Sequence, residues 1–304
     1  MTRRTPRHRL EGLLFRLLVA KWSILPESLA LKAGEAVGWL AGSLLRVRRR
    51  DVERHLAWAF PDRSPSWRRA VARASYRHLG REAVVLFRRG GWSRERILER
   101  TAVVGFEAFR EDAEAGHGVI LLTGHLGNWE IGGAGIAARG IPLDVVGKGM
   151  ADRRFEEHLF ETRARLGMRV VEMGEAPREA LRSLAEGRVV ALLGDQNAHR
   201  GGIFVPFFGR QAATVRGPAL LAARTGARVW VGFATRDPGP EQRYTLRFQP
   251  LPFEPTGVPE EEAVALMGAY GAELEEAVKA APEQYFWQHR RWKRRPPEEP
   301  GSER

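Results

Sequence analysis

Cysteine is absent from the 304-residue chain, which excludes disulfides, thiolate zinc sites and a cysteine nucleophile and is compatible with a reducing compartment. Long apolar runs are missing as well. Residues 10 to 45 are leucine-rich, but Arg16, Lys21, Glu27, Lys32 and Glu35 interrupt them, so no stretch reaches the roughly 20 residues that a spanning helix needs. Arg16 also splits the candidate apolar region of a signal peptide, and no small-residue cleavage site follows it, so a cleaved leader is not expected. There is no Gly-x-Ser-x-Gly elbow, internal repeat or long linker. Acidic charge is in deficit: 37 Asp plus Glu face 49 Lys plus Arg, a net charge of +12. Such a surplus implies an anionic partner, and nucleic acid, an anionic membrane and an acidic protein all qualify.

What is present is a chain with 43% hydrophobic residues, ample for one large α/β domain. Basic clusters at Arg3, Arg4, Arg7 and Arg9 and at Arg46, Arg48, Arg49 and Arg50 flank the leucine-rich segment. We read that segment as two amphipathic helices broken near Pro26, lying in a membrane interface with cationic flanks and tryptophans at headgroup depth; ordinary core-facing helices show the same periodicity. Residues 47 to 90 read as helices, with Val52, Leu56, Ala57 and Phe60 at helical spacing, Pro61 as a stop and Ser64-Pro65 as a start.

From residue 101 the pattern changes to short β-rich runs separated by helical stretches. Strands are expected at Ala102 to Val104, Val119 to Leu122, Leu143 to Val146, Arg169 to Val171, Val189 to Leu193, Val229 to Ala234 and Tyr244 to Phe248. Helices are expected at Asp152 to Leu166, Pro177 to Ala185, Thr214 to Arg224 and Glu260 to Ala280. That alternation predicts a mainly parallel central sheet flanked by helices, with functional residues at the strand carboxyl ends. The division expected is residues 1–50 as membrane-associating helices, 51–295 as the main domain and 296–304 as a tail.

The densest chemistry lies in Gly124-His125-Leu126-Gly127-Asn128-Trp129-Glu130, directly after the apolar run 118–123. Five helical steps of ~100° would set His125 and Glu130 about 140° apart, so His125 belongs in a loop that Gly124 and Gly127 allow to turn. Glu130 then falls in the first turn of a helix, whose free N–H groups can stabilise an oxyanion. This arrangement reads as a general base with its orienting carboxylate. The other histidines lack that setting: His158 and Glu161 sit on a polar helix face, and His8, His55 and His78 in basic helical segments, as solvated or structural groups. Asp195 and Gln196 end a buried strand and point to the same crevice as His125, or else act as caps.

Three ordered motifs resemble one family, the lipid A biosynthesis lauroyl/myristoyl acyltransferases, within the wider lysophospholipid and glycerol-phosphate acyltransferase superfamily. They are the stretch from His125 to Glu130, the block Leu193-Gly194-Asp195-Gln196 followed by Gly202 to Gly209 and Ala212-Ala213-Thr214, and the segment Pro282 to Pro296. The resemblance spans most of the chain and implies a glycerol-phosphate acyltransferase-like α/β fold. It implies transfer of a fatty acyl chain from an acyl carrier protein or CoA thioester to a hydroxyl of a lipid A precursor, at the cytoplasmic side of the inner membrane. Another glycolipid or a lysophospholipid is the alternative acceptor. No metal or redox cofactor is implied, and nucleic acid is not a partner on this reading; a basic, non-enzymatic membrane or nucleic-acid binding protein is the competing class.

In that frame His125 and Glu130 are the catalytic candidates, and Lys148, Arg163, Asp195 and Gln196 the substrate-binding ones. Arg163 falls where the family places a basic residue near the reaction centre, able to bind phosphate or an oxyanion, although a solvated helix arginine is equally common and Arg165 equally available. Phe204, Val205, Phe207 and Phe208 could wall an acyl-chain groove or simply be core. Trp287, Arg290, Arg291 and Trp292 mix aromatics with cations as a membrane, phosphate or nucleic-acid surface does. One departure is His55, where many relatives show asparagine.

Overall fold

The computed structural model describes residues 25–147, 153–198, 201–239 and 241–296. Lys148, His8 and the first of the two expected N-terminal helices lie outside them. Helix α1 (Glu27–Trp39) starts directly after Pro26 and runs into a π-helical turn at Leu40–Leu44. It packs through glycines on the later helix that spans Pro65–Arg88: a Cβ at Gly38 would sit 2.0 Å from the Tyr76 carbonyl oxygen, and one at Gly80 2.2 Å from that of Gly34. Only glycine permits so close a crossing. The α1 residues Leu29, Val37 and Trp39 are exposed, so one side of α1 is core-facing and another carries apolar groups outward.

Helix α2 (Arg49–Ala59) ends before Pro61, and α3 (Pro65–Arg88) opens with proline in its first turn and Ser64 as N-cap, whose Oγ accepts from the Trp67 amide at 3.2 Å. A single 3-10 turn at Arg89–Gly91 ends it. Helix α4 (Arg94–Arg100) then leads into the sheet.

Seven strands form the central sheet: β1 (Thr101–Val104), β2 (Val119–Thr123), β3 (Leu143–Gly147), β4 (Met168–Glu172), β5 (Val189–Leu193), β8 (Arg228–Arg236) and β9 (Tyr244–Pro250), in the order β1-β9-β8-β2-β5-β3-β4. Interleaved are α5 (Phe106–Glu114), α6 (Trp129–Ala138), α7 (Arg153–Arg165), α8 (Ala176–Ala185), α9 (Gly217–Thr225) and the long α10 (Pro259–Ala280). Strands β8, β2, β5, β3 and β4 are parallel, as the strand-helix alternation predicts. Strand β9 runs antiparallel to β8 and carries β1 parallel to itself. The reason is local: the short 237–243 connection contains no helix, so the chain can only turn back on itself.

Both faces of the sheet are covered. Ile120, Leu122, Val190 and Val231 face a core shared with α8, α9, α10 and Trp287, whereas Val119, Leu121, Val189 and Trp230 face a second core shared with α5 and α6. Consecutive residues alternate between these cores, which is why β2 reads as an unbroken apolar run. Each fully buried side chain, such as Leu122, contributes about 1.5–3 kcal/mol.

Residues 203–214 depart from the expectation. They form a separate two-stranded hairpin, β6 (Ile203–Phe207) and β7 (Arg210–Thr214), and α9 starts at Gly217 rather than at Thr214. Its two-residue turn, Phe208-Gly209, has both residues left-handed (φ 49° and 68°), the twist that a tight hairpin requires. Among the described residues no helix is long and apolar enough to cross a membrane.

Candidate active site

Strand register sets the geometry of the site. Thr123 at the end of β2 is directly paired with Leu193 at the end of the neighbouring parallel strand β5, so the residues two positions further on, His125 and Asp195, emerge side by side. The Gly194 amide still donates to the Thr123 carbonyl at 3.1 Å. Beyond it the Asp195 carboxylate accepts twice from His125: its Oδ2 from the backbone N–H at 2.8 Å, and its Oδ1 from ring Nδ1 at 2.7 Å. Both residues are buried.

The loop that holds His125 is fixed on several sides. Gly127 is left-handed (φ 62°), and a Cβ there would lie 2.0 Å from the Ala234 carbonyl oxygen, so this glycine is required by both conformation and space. Its amide donates to the Gln284 carbonyl at 3.0 Å, and that of Asn128 to the Ala234 carbonyl at 2.8 Å. The His125 carbonyl accepts from the Phe286 amide at 2.9 Å. Asn128 caps α6, its Oδ1 accepting from the Ile131 amide at 2.9 Å while its Nδ2 donates to Glu82 at 2.7 Å. The segment 282–289 thus acts as a brace for the loop, and Trp129 meets the imidazole edge-on at 4.8 Å.

The expected pairing of His125 with Glu130 is corrected by these contacts. Glu130 does sit in the first turn of α6, but its carboxylate accepts from two guanidinium groups: Arg163 through Nε at 3.1 Å and Nη2 at 2.5 Å, and Arg89 through Nη2 at 2.7 Å. Position explains the difference. Glu130 belongs to a helix that leads away from the strand end, whereas Asp195 comes from the adjoining strand.

Arg163 is consequently neither a solvated helix arginine nor a free group, with only 11% of its side chain exposed. Arg165 instead donates to the Gly90 carbonyl at 2.8 Å. Arg89 had no sequence signal, being one arginine among many in a helical stretch. It is wholly buried, and its Nε and Nη1 have no hydrogen-bond acceptor among the described residues.

Burial alone would lower the His125 pKa, but the adjacent Asp195 charge and hydrogen bond, with a smaller contribution from Glu130, raise it above its ordinary value of 6.5. Burial acts to raise the Asp195 pKa, and the His125 imidazolium and hydrogen bonds outweigh it to hold the carboxyl below 3.8. Glu130 is likewise lowered against the pull of burial by Arg89 and Arg163. An ionised Asp195 accepts the Nδ1 proton, so the neutral imidazole presents its lone pair on Nε2. The amide nitrogen of Gln196 lies 3.1 Å from that atom and donates to it.

His125, Gln196, Trp129, Glu130 and Arg163 open into a groove of about 920 Å3, within the usual range for small-molecule sites. Its outer walls are apolar and come from three helices: Leu79 and Leu86 of α3, Pro177 and Leu181 of α8, and Leu220 and Leu221 of α9. Leu79, Met173, Val215 and Leu220 stay substantially exposed there, as suits a hydrocarbon ligand. Phe204, Val205, Phe207 and Phe208 are not among its walls. Val205 and Phe207 are buried in the core with Trp292, and Phe208 packs on Phe60 and Trp287.

The C-terminal motif is also mostly structural. Trp287 and Trp292 are buried, and Arg291 donates to the Ala213 carbonyl and Thr214 Oγ1, each at 2.5 Å; only Arg290 of the four residues singled out is exposed. Burial pulls His289 down to about 4, and its Nε2 accepts from the Asn197 amide at 3.0 Å. His55 and His78 are mostly buried structural groups, facing the Trp287 and Gly127 carbonyls. Among the described residues no cluster of three or more His, Asp or Glu is arranged to hold a metal.

A parallel sheet with a histidine-carboxylate pair at adjoining strand ends and an apolar groove above them defines an α/β enzyme suited to lipid chemistry. Comparison with known proteins gives its family: residues 3–294 match the bacterial lipid A biosynthesis acyltransferases, and the chain belongs to that family and is an acyltransferase. It is 28% identical to the lipid A biosynthesis lauroyltransferase of Escherichia coli K12, over 90% of this chain and 88% of the relative. It is 26% identical to the lipid A biosynthesis palmitoleoyltransferase of the same strain, over 90% and 88%. The phosphatidylinositol mannoside acyltransferase of Mycolicibacterium smegmatis is 29% identical over 52% of each chain.

Proposed function

We propose that this chain moves a fatty acyl group from an acyl carrier protein or CoA thioester to a hydroxyl of a lipid A precursor at the cytoplasmic face of the inner membrane, with His125 as general base. The observation that carries this reading is the His125–Asp195 pair opening onto an apolar groove. The acceptor hydroxyl replaces the Gln196 amide at Nε2 and gives its proton to the imidazole as its oxygen attacks the thioester carbonyl carbon. Asp195 holds the tautomer and offsets the imidazolium charge. When the carbon–sulfur bond breaks, the imidazolium returns the proton to the departing thiolate, leaving ester, free thiol and neutral His125.

Arg163, oriented by Glu130, presents fixed positive charge to the acceptor's phosphate or to the tetrahedral oxyanion, and the amino end of α6 adds N–H donors. Glu130 therefore serves as a positioning residue in this scheme. The carrier protein is the acidic partner that a net charge of +12 attracts. A mannoside-type glycolipid acceptor is the second reading, favoured by the 29% identity to the mycobacterial relative.

His125→Ala tests the scheme with purified chain, acyl carrier protein thioester and either acceptor. We expect transfer to fall about 10³-fold or more with the fold intact by circular dichroism. Undiminished transfer would overturn the assignment, and salt-dependent binding to duplex DNA without transfer to any acceptor would support a binding protein instead.

A further inference from the structure

We propose that the cleft between the start of α2 and the C-terminal segment receives the phosphate headgroup of an anionic phospholipid and seats the chain on a bilayer. The proposal deepens the membrane part of the function above and rests on that reading for the presence of a membrane-borne acceptor. The cleft measures about 1080 Å3 and shares no wall with the catalytic groove. Five arginines from residues 46–54 and three cations from residues 290–295 line it, against two carboxylates.

Those carboxylates are already engaged. Asp51 accepts from Arg54 and, at 2.9 Å, from Arg290, while Glu53 accepts from Arg49 at 2.7 Å. Arg46, Arg50 and Lys293 have no carboxylate within ion-pair distance among the described residues. So much uncompensated charge around one cavity repels itself and is relieved by an anion.

The cleft is also built rather than merely crowded. Arg46 and Arg48 both hold left-handed backbone (φ 51° and 52°), a conformation that costs energy for such residues and persists only where neighbours fix it. Between them the Val47 carbonyl accepts from the Tyr76 hydroxyl, and Arg48 Nη1 donates to the Gln288 carbonyl at 3.0 Å. Trp58 forms an aromatic wall, with the Arg210 guanidinium 4.4 Å from its ring centre.

The choice between a bilayer and an acidic protein rests on the residues just before the cleft. Leu40, Leu44, Leu45 and Val47 are exposed by 39%, 67%, 65% and 49%, and Trp39 by 44%. An acidic protein would satisfy the arginines but leave these aliphatic groups in water. An anionic bilayer takes both, phosphates in the cleft and side chains among the upper acyl segments, with tryptophan at headgroup depth.

The test is co-sedimentation of the full chain with vesicles of phosphatidylcholine, with or without phosphatidylglycerol. It compares wild type with Arg50→Glu/Lys293→Glu and with Leu44→Ser/Leu45→Ser. Glutamate in the first turn of α2 suits the helix dipole, so the charge variant should fold, as circular dichroism would show. We expect binding to phosphatidylglycerol vesicles to weaken about tenfold or more in the charge variant and severalfold in the serine variant. Acyl transfer to detergent-dispersed acceptor, measured in parallel, should be unchanged in both.

Vesicle binding that stays within about twofold of wild type in the charge variant overturns the headgroup site, and so does loss of binding to acyl carrier protein alone. Vesicle binding that responds as expected while no preparation transfers acyl groups supports the site and counts against the enzymatic reading instead.

Discussion

Two carboxylates serve the same groove, Glu130 from its wall and Asp195 from behind His125; both are buried and both held ionised, yet they stand in opposite chemical situations. Asp195 has one ion-pairing partner, the His125 ring, whose far nitrogen faces the groove; Glu130 has two guanidinium partners, and its charge is consumed inside the protein by Arg89 and Arg163. A pair that is to move protons must leave one member able to meet a reactant, as His125 Nε2 can once the Gln196 amide yields. The guanidinium partners of Glu130 do not release protons, and the contacts of Glu130 hold Arg163 in place. Its sequence neighbourhood gives Glu130 the look of His125's partner, and the strand register puts Asp195 in that place instead.

The largest effect should come from Asp195→Asn. The amide cannot offset the imidazolium and can hold the wrong tautomer, so kcat should fall about 10³-fold. The pH profile carries the sign. In the proposed scheme transfer needs neutral His125, whose pKa is raised chiefly through Asp195 in opposition to burial, so the acid limb of the wild-type profile should lie above 6.5. Without the carboxylate, burial prevails and the limb moves below 6.5. A limb that stays in place would show that His125 titration does not govern the rate.

Glu130→Gln should act on stability first. It leaves the wholly buried Arg89 without its counter-charge, and removing one member of a buried pair costs about 3 kcal/mol, visible as a lower denaturant midpoint with the slope unchanged. Activity should fall mainly as a rise in KM, because Arg163 loses its orientation while His125 and Asp195 keep theirs. A variant as stable as wild type would mean that the cluster is not an obligatory ion pair.

Gly127→Ala separates the loop from its charges. A left-handed alanine whose Cβ meets a backbone oxygen at 2.0 Å must shift the turn, at a cost of about 2 kcal/mol. The same shift displaces His125 from Asp195. Thermal melting and transfer assays should therefore fall together here, whereas Asp195→Asn lowers transfer far more than stability.

The strands, their order of appearance and the helices between them were legible because apolar period and turn residues are local signals: all seven predicted segments are strands of the sheet. So were the loop position of His125 and the shared crevice of Asp195 and Gln196, since strand ends mark both. Which acid reaches the histidine was not legible, because it depends on which strands are neighbours: β5 lies beside β2 although three elements of other kinds and two strands intervene in sequence. Arg89 was illegible in a helix crowded with arginines, and its burial follows from where α3 ends against α6 and α7. The hairpin at 203–214 was missed because Pro206 and the non-glycine Phe208 obscure the usual turn signal. The same aromatics look like a ligand wall in sequence and are packed against α10 and Trp292 in the fold.

The smallest effect should come from Gln196→Ala, and its direction bears on how the open nitrogen is kept open. Gln196 donates to His125 Nε2 at 3.1 Å, so it shields the lone pair before substrate arrives and must yield to the acceptor hydroxyl. Removing it has two opposed consequences. The base loses a hydrogen bond worth about 1 kcal/mol to the neutral imidazole, which favours protonation and lifts the acid limb further. The hydroxyl meanwhile no longer competes with an amide for Nε2. The net change in kcat should stay within about fivefold, with the upward shift of the acid limb as the clearer signature. A loss as large as that of Asp195→Asn would mean that Gln196 contacts the reacting atoms themselves, and the contrast between an open and a closed carboxylate would then need a third member.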